Sequence, residues 1–298
     1  MQSRQTVGLV LFRNGLGMRR ILILGILVAG IWAFSELQLK PANLVPTPGG
    51  VRIAGEFFSR ALSPAISYEA DFVPRDTPPL LWKALQAAAT TVVFASAAMS
   101  LALVWGLILG FLASTAWWIG DPVGGPGPVG LFLRRSVAPM VYGGTRVLIA
   151  CMRSIHELIW AVLFLAAFGL SHLSAALAIA IPFGGTLAKI FSEMIDEAPR
   201  DVAHALRGSG ASSPHVYLLG LLPRALPDMT AYAFYRFECA LRSSAILGFF
   251  GYPTLGFYIA ASFENLHYGE VWTYLYTLFF LVTLVDWWSG ALRRRFVA

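Results

Sequence analysis

The 298-residue chain is 57% hydrophobic and 13% charged, whereas soluble domains average about 25% charged residues. This composition excludes a large soluble domain and indicates an integral membrane protein. The net charge of +6 does not indicate a nucleic-acid partner, because the basic residues fall between apolar runs, as membrane-topology signals do.

Six apolar runs are long enough to cross a bilayer, which takes about 20 residues. In chain order they lie at about 19–36, 82–118, 143–170, 174–195, 228–250 and 271–292. The first could also be a cleaved signal peptide, but the polar residues at 35–40 do not resemble a cleavage region, so we expect a retained helix. The sequence therefore predicts an all-α membrane protein with about six transmembrane helices.

Arginines in the short connections orient these helices, because Lys and Arg concentrate on the cytoplasmic side. They comprise Arg4, Arg13, Arg19, Arg20, Arg134, Arg135, Arg200, Arg207, Arg224, Arg293, Arg294 and Arg295. The segments 171–173 and 251–270 contain neither Lys nor Arg. Both termini are therefore predicted to be cytoplasmic, with 251–270 outside. Residues 1–81 form an N-terminal transmembrane helix and an external segment, and 82–298 a five-helix core with a cytoplasmic loop at 196–227.

The loop contains the stretch HALRGSGASSPHVYLLGLLPRALP at 204–227. Its first part predicts a short amphipathic helix that starts near Pro199 and has Val202 and Leu206 on one face. Gly208 and Gly210 can end it with a left-handed residue. A helix this short is marginal alone, so we expect another protein to pack on it.

A second short helix is predicted after the glycines. Ser213 suits its N-cap and Pro214 its first turn. Pro223 and Pro227 are expected to break it before the fifth span begins. The two short helices would then form a rigid protrusion beneath the bundle.

The loop resembles the EAA loop of ABC importer permeases, in the order His204-Ala205-Leu206, Gly210 and Leu222-Pro223. Four further fragments resemble the phosphonate-type subfamily and follow its order. They are RSIHELIWAVLF (153–164), ALRGSGAS (205–212), YRFE (235–238) and LRSSAILGF (241–249). The chain departs from the family at His204, where Glu is usual, at His156, where Pro is usual, and in the turn Tyr252-Pro253-Thr254, where glycines are typical.

The resemblance implies a type I ABC importer permease fold in a bacterial inner membrane. It implies ATPase subunits that dock on the loop and hold ATP and Mg²⁺, so we expect no cofactor in this chain, and the sequence contains no GxxxxGK[ST] phosphate loop. An external substrate-binding protein and a second permease chain, as a homodimer, are implied as well. The residues assigned to ATPase docking are Val202, His204, Ala205, Leu206, Arg207, Gly210, Leu222 and Pro223.

Ionisable residues within spans are costly and mark transport pathways by default. Arg153, His156 and Glu157 are predicted to share one face of the third span, and Arg236, Glu238 and Arg242 lie in the fifth. Arginines could attract an oxyanion through paired hydrogen bonds. Alternatively, Arg153–Glu157 and Glu238–Arg242 are internal ion pairs. The complete set assigned to the pathway is Arg153, His156, Glu157, Arg236, Glu238, Arg242, Ser243 and Ser244.

Other functions remain open at this level. The same fold could import a different substrate, such as an amino acid. A stand-alone secondary transporter would show inverted repeats, and none is visible. A membrane enzyme is disfavoured because the five histidines are scattered, so no catalytic residue is assigned. Glu264, His267 and Glu270 could suggest a metal site, but binding-protein docking or solvation suits them better, and no metal is predicted.

Overall fold

The computed structural model describes residues 15–38, 45–115 and 132–297. These residues form helices and connecting turns and contain no strand, which confirms the all-α prediction. The chain divides into two compact units, residues 1–58 and 59–298. The sequence-based division at 81/82 rests on topology and stays a prediction.

The first unit contains helix α1 (Gly15–Glu36) and helix α2 (Pro48–Ser59). α1 is apolar around its whole circumference and its side chains are exposed, as expected of a helix whose solvent is lipid. It corresponds to the first predicted span. α2 is amphipathic, and Arg52 and Glu56 form an ion pair of 3.8 Å on it.

The second unit contains the remaining helices, which pack around a shared core. In chain order they are α3 (Leu80–Ala113), α4 (Ala138–Ser154), α5 (Glu157–Phe168), α6 (His172–Glu197), α7 (Asp201–Gly208), α8 (Leu222–Ile246), α9 (Leu255–Glu264) and α10 (Tyr268–Val297). α3 and α6 lie at the centre, where Phe191, Leu187 and Ala102 are almost completely buried.

Four helices among the described residues are long and apolar enough to cross a membrane, and up to six spans result if each bent pair counts as one. One bent pair is α4 and α5, with an angle of 90°, and the other joins 216–250 to α9 at 46°. This count agrees with the predicted six. Residues 116–118 of the second predicted span, like Arg4 and Arg13, lie outside the described residues.

Glycines allow the central helices to approach closely. A Cβ atom on Gly106 of α3 would lie 2.7 Å from the Leu187 Cβ atom of α6. A Cβ atom on Gly185 of α6 would lie equally close, 2.7 Å, to the Met152 Cβ atom of α4. Small residues bring membrane helices together because packing, not hydrophobicity, drives their association. α6 is thereby held between α3 and α4.

The segment 251–270, predicted as an external loop, contains α9 and packs into the core. Its start is fixed by Thr91 of α3, whose hydroxyl accepts a 3.1 Å hydrogen bond from the Leu255 N–H group. A side chain on Gly256 would collide with the Ala245 carbonyl group of α8. That 251–270 lies outside the membrane stays a prediction, but its helix was not predicted, because an apolar helix of ten residues, lacking charges until Glu264, is too short to register as a span.

Pro223 and Pro227 do not break the chain before α8, contrary to the prediction. A helical turn at Ser213–His215 continues through a π-helical segment, Val216–Leu221, directly into α8. Pro223 lies in the first turn of α8, where a proline is tolerated, and Pro227 lies inside the helix. Buried Ala225 and Met229 hold that turn against the core despite the hydrogen bond that Pro227 cannot donate.

Candidate functional site

Residues 201–221, here named the α7 elbow, comprise α7, a turn and the π-helical segment. α7 ends in a Schellman motif: the Ala211 N–H group donates to the Leu206 carbonyl at 3.0 Å, and the Gly210 N–H group to the Arg207 carbonyl at 2.9 Å. Gly210 has φ +87°, which confirms the predicted left-handed residue. The helix starts at Asp201, two residues after Pro199.

The second half of the elbow begins one residue earlier than predicted. Ser213 is already helical, so Ser212 precedes the helix. The Ser212 hydroxyl group lies 2.6 Å from His215 Nδ1. The Ser212 carbonyl group accepts a 3.0 Å hydrogen bond from the Val216 N–H group. Val216 and Tyr217 are buried, which anchors this half of the elbow to the bundle.

The apolar face of α7 packs inward rather than outward. A Cβ atom on Gly220 would lie 3.1 Å from Leu206 Cδ1 and 3.6 Å from Val202 Cγ1, so both side chains lie on the π-helical segment. Ala203 between them is 3% exposed. Val202 and Leu206, assigned to docking from the sequence, therefore hold the elbow together.

The outward face carries the remaining docking candidates. His204, Ala205 and Gly210 are exposed, as is Pro223, whereas Arg207 and Leu222 are half-buried. Sequence reasoning missed Leu218 and Leu219, which are 55% and 65% exposed. Their exposure beside α7 forms an apolar patch of the kind that marks a protein contact.

The third predicted span breaks between Ser154 and Glu157, so Arg153, His156 and Glu157 do not share one helical face. α4 ends at Ser154, and α5 starts at Glu157 after a 90° bend. His156 caps α5: its Nδ1 atom accepts the Leu158 N–H group at 3.3 Å. Its Nε2 atom lies 3.5 Å from a Glu157 carboxylate oxygen.

Glu157 joins α5 to α8 and is not paired with Arg153 among the described ion pairs. The Ser243 hydroxyl group donates a 2.9 Å hydrogen bond to its Oε1 atom. The second proposed pair is present, since Arg242 Nη2 lies 3.3 Å from Glu238 Oε1. The hydrogen bond between Glu157 and Ser243 joins α5 to α8, whereas Arg242 and Glu238 lie about 100° and 140° around α8 from Ser243.

Arg236 lies deeper, on the aromatic ring of buried Phe183. Its guanidinium carbon is 4.3 Å from the ring centroid. Its Nε atom is buried and has no hydrogen-bond partner among the described residues. Tyr232 lies four residues before Arg236 on α8, so the two side chains are neighbours on one face of the helix. A cation held on an aromatic face with a spare donor is ready to accept an anion.

A cavity of about 630 Å³ lies between the end of α6 and the start of α8, beside the α7 elbow, and reaches Tyr232. Charged side chains line its mouth and Tyr232 lies in its wall; the lining includes Glu197, Arg224, Asp228, Tyr232, Tyr235 and Arg293. Arg236 is not among the residues that line this cavity.

Ser244 and Glu270, which the sequence suggested for the pathway and for an exposed site, are both buried and hydrogen-bonded in the structure. Ser244 is fully buried, and its hydroxyl group donates to the Thr91 carbonyl at 2.8 Å, which is a bond between α8 and α3. Glu270 is 5% exposed and accepts from the Glu69 N–H group at 2.8 Å and the Ser262 hydroxyl group at 3.0 Å. The residues that the structure describes contain no group of three or more metal-ligating side chains.

The family of this chain is shown by its similarity to known proteins. Residues 127–298 match the family model described as the binding-protein-dependent transport system inner membrane component. The chain belongs to this family. The family is a multi-pass inner-membrane component, in agreement with the apolar helices described above.

Curated relatives include two permeases of the family. The phosphite transport system permease protein PtxC of Stutzerimonas stutzeri is 36% identical over 158 residues, 53% of this chain and 58% of the relative. The phosphate-import permease protein PhnE of Mycolicibacterium smegmatis is 30% identical over 172 residues, 57% of this chain and 32% of the relative. The chain thus spans less than two thirds of the length of either.

Solved structures confirm the predicted fold. A chain of the MetNI methionine ABC transporter in inward-facing conformations superposes with a TM-score of 0.59. It is 20% identical, and the match covers 74% of this chain and 99% of that one. At this identity the likeness establishes the permease fold and not the substrate.

Proposed function

We propose that this chain is the permease subunit of an ATP-driven ABC importer for phosphite, phosphonate or a related small oxyanion. The observation that carries the proposal is Arg236, whose guanidinium group lies on Phe183 with a buried Nε atom that no described group satisfies. The phosphite permease PtxC supports the same substrate class. Arginine suits a tetrahedral oxyanion because its planar fork forms paired, charge-assisted hydrogen bonds.

The pathway in this proposal comprises the charged residues Glu157, Arg236, Glu238 and Arg242 and the cavity lined by Tyr232. The two arginines differ in neutralisation: Glu238 offsets Arg242, whereas Arg236 lies on the Phe183 ring and forms no ion pair within the described part of the chain. A transported anion must be attracted and also released. A row of partly neutralised cations meets both requirements better than one strong site.

The partners in this proposal follow from the family and the elbow. ATPase subunits dock on the exposed face of α7 around His204 and Ala205, and they hold ATP and Mg²⁺. A binding protein delivers the anion from outside, and a second copy of the chain completes the pathway. Both termini then face the cytoplasm, in accord with the distribution of arginines.

Anion uptake by the reconstituted complex tests the proposal. With the ATPase subunit and the binding protein present, Arg236→Gln is expected to lower phosphite or methylphosphonate uptake about ten-fold or more, since it removes a charged hydrogen bond to the anion. Arg236→Lys keeps the charge but loses the fork, so uptake should stay well below wild type. Arg52→Gln, on an exposed side chain of α2, is the matched control and should transport normally.

Co-purification of the ATPase separates transport from assembly in these variants. All three should retain the ATPase, because Arg236 lies far along α8 from the elbow. If Arg236→Gln transports as fast as wild type, Arg236 does not belong to the pathway. If a zwitterionic amino acid blocks uptake and phosphite does not block it, the result would favour the amino-acid alternative.

A further inference from the structure

The carboxylate of Asp196, near the end of α6, connects three helices. Its Oδ1 atom accepts the Ser114 hydroxyl group and the Thr115 N–H group, each at 2.8 Å, just beyond the end of α3. Its Oδ2 atom lies 4.0 Å from Arg146 Nη2 of α4. Sequence reasoning gave Asp196 no role because its partners Ser114, Thr115 and Arg146 lie 82, 81 and 50 residues earlier in the chain.

The partners of this carboxylate are themselves fixed to the bundle. Ser114 is completely buried. Arg146 Nη2 also donates to the Ala113 carbonyl at 3.1 Å, and a cation at this position stabilises the negative end of the α3 dipole. The Arg146 guanidinium group lies 5.1 Å from the Tyr142 ring centroid. The end of α3 is thus held between an acidic group from α6 and a basic group from α4.

The backbone of Asp196 leads directly to the α7 elbow. Arg200, the residue before α7, donates from Nη2 to the Asp196 carbonyl at 3.2 Å. The next residue, Asp201, begins α7 and forms a 3.2 Å ion pair with Arg224 of α8. A displacement of the elbow therefore acts first on the residue that joins α3, α4 and α6.

We propose that Asp196 is a positioning residue that transmits movement of the α7 elbow to α4 and so to the charged break at Arg153 and His156. The inference rests on the proposed function, in which an ATPase moves the elbow. α4 carries Arg146 at one end of this connection and Arg153 seven residues further on, two turns along the same helix. Hydrogen-bond and ion-pair networks that join rigid helices carry such coupling.

Hydrogen exchange in the complex with the ATPase tests the inference without any transported substrate. In wild type, a non-hydrolysable ATP analogue should change the exchange of peptides that cover 146–158. In Asp196→Asn this change should fall about five-fold, since network variants weaken coupling to this extent. Asn keeps the size but supplies one acceptor oxygen and no charge, so Arg146 loses its carboxylate. Glu193→Gln, one turn earlier on α6 and paired with Lys189 of the same helix, is the matched control and should respond as wild type.

The same experiment distinguishes transmission from simple stability. A structural role alone would lower the thermal unfolding temperature and speed exchange without nucleotide, while the fractional response to nucleotide stayed intact; that result overturns the inference. An equal response in Asp196→Asn and wild type overturns it as well and leaves the proposed function standing. Wild-type complex that responds to nucleotide but imports no oxyanion refutes the proposed substrate and leaves this test valid. Failure of wild type to bind the ATPase refutes both.

Discussion

His156 occupies a backbone position that proline would also accept. Its φ and ψ angles are −67° and 146°, and the preceding Ile155 has −104° and 126°. Proline fixes φ near −65° and pushes the residue before it into the extended region, so both residues already satisfy its requirements. Here the imidazole ring supplies a helix cap, through the Leu158 N–H group, in place of a rigid ring.

His156→Pro is therefore expected to preserve the break between α4 and α5. The variant loses the side-chain cap, worth about 1 kcal/mol, but restricts the unfolded chain by a comparable amount. Its thermal unfolding temperature in nanodiscs should match wild type, and uptake should persist. His156→Ala, which loses the cap without the restriction, is the comparison and should be less stable by about 1 kcal/mol.

An unfolding temperature for His156→Pro clearly below that of His156→Ala would contradict this account. It would show that the N–H group of His156 has an essential partner. Normal stability with abolished uptake would show instead that the imidazole ring itself acts in the pathway.

Charged residues were predictable from the sequence only where both partners lie on one continuous helix. Glu238 and Arg242 are four positions apart on α8, so helical spacing alone predicts their contact. The same reasoning failed for Arg153 and Glu157, because the stretch between them contains neither Gly nor Pro to signal the break. The contact between Glu157 and Ser243 joins residues 86 positions apart, which periodicity cannot reveal.

At the scale of elements, the α7 elbow separates residues that build it from residues available to a partner. Ala205→Asp places a charge on the exposed face, next to His204, and should prevent co-purification of the ATPase while the chain remains folded. Val202→Asp buries a carboxylate against Gly220 and should instead destabilise the elbow itself. Fluorescence-detected size-exclusion chromatography and thermal unfolding of the isolated permease measure this difference.

Ser209→Asp provides the control for added charge, since Ser209 is exposed beyond the last turn of α7. It should retain part of the ATPase binding that Ala205→Asp loses. If Ala205→Asp binds the ATPase normally while Val202→Asp stays folded and fails to bind, the inward orientation of Val202 is incorrect.

Helices were easier to predict than the joints between them. Apolar length alone located α1, α3, α6 and α10, because a bilayer demands about 20 apolar residues. The π-helical segment at Val216–Leu221 was not predicted, since Pro223 and Pro227, which follow it, normally end a helix. Burial of Val216, Tyr217 and Leu221 favours the helical conformation there. The sequence thus predicts the number of spans and the order of the motifs, but it does not predict the bends within the spans.

At the scale of the whole molecule, the exposed charges show which side of the second unit faces water or another protein. The Arg242 side chain is 54% exposed and that of His156 is 61% exposed, although both lie within bent spans. Ionisable side chains at this depth face a polar cavity or a partner rather than lipid. We therefore expect the side of α8 that carries Arg242 to face the proposed pathway or a partner, and the apolar remainder of the second unit to face the bilayer.

The two native cysteines lie on different sides and can report this asymmetry without substitutions. Cys239 is three residues before Arg242 on α8, and Arg242 Nη2 lies 3.5 Å from its sulfur atom. Cys151 is exposed on α4 but about 200° around the helix from Arg153, on the side assigned to lipid.

A charged methanethiosulfonate reagent should modify Cys239 about ten-fold faster, because thiol reactivity requires access of the polar reagent and a solvated thiolate. Single variants Cys151→Ser and Cys239→Ser assign the two rates by mass spectrometry. Saturating phosphite with binding protein and ATP should slow only the Cys239 reaction. A faster reaction at Cys151 would contradict this prediction, because it would show that the polar side is the one that carries Cys151.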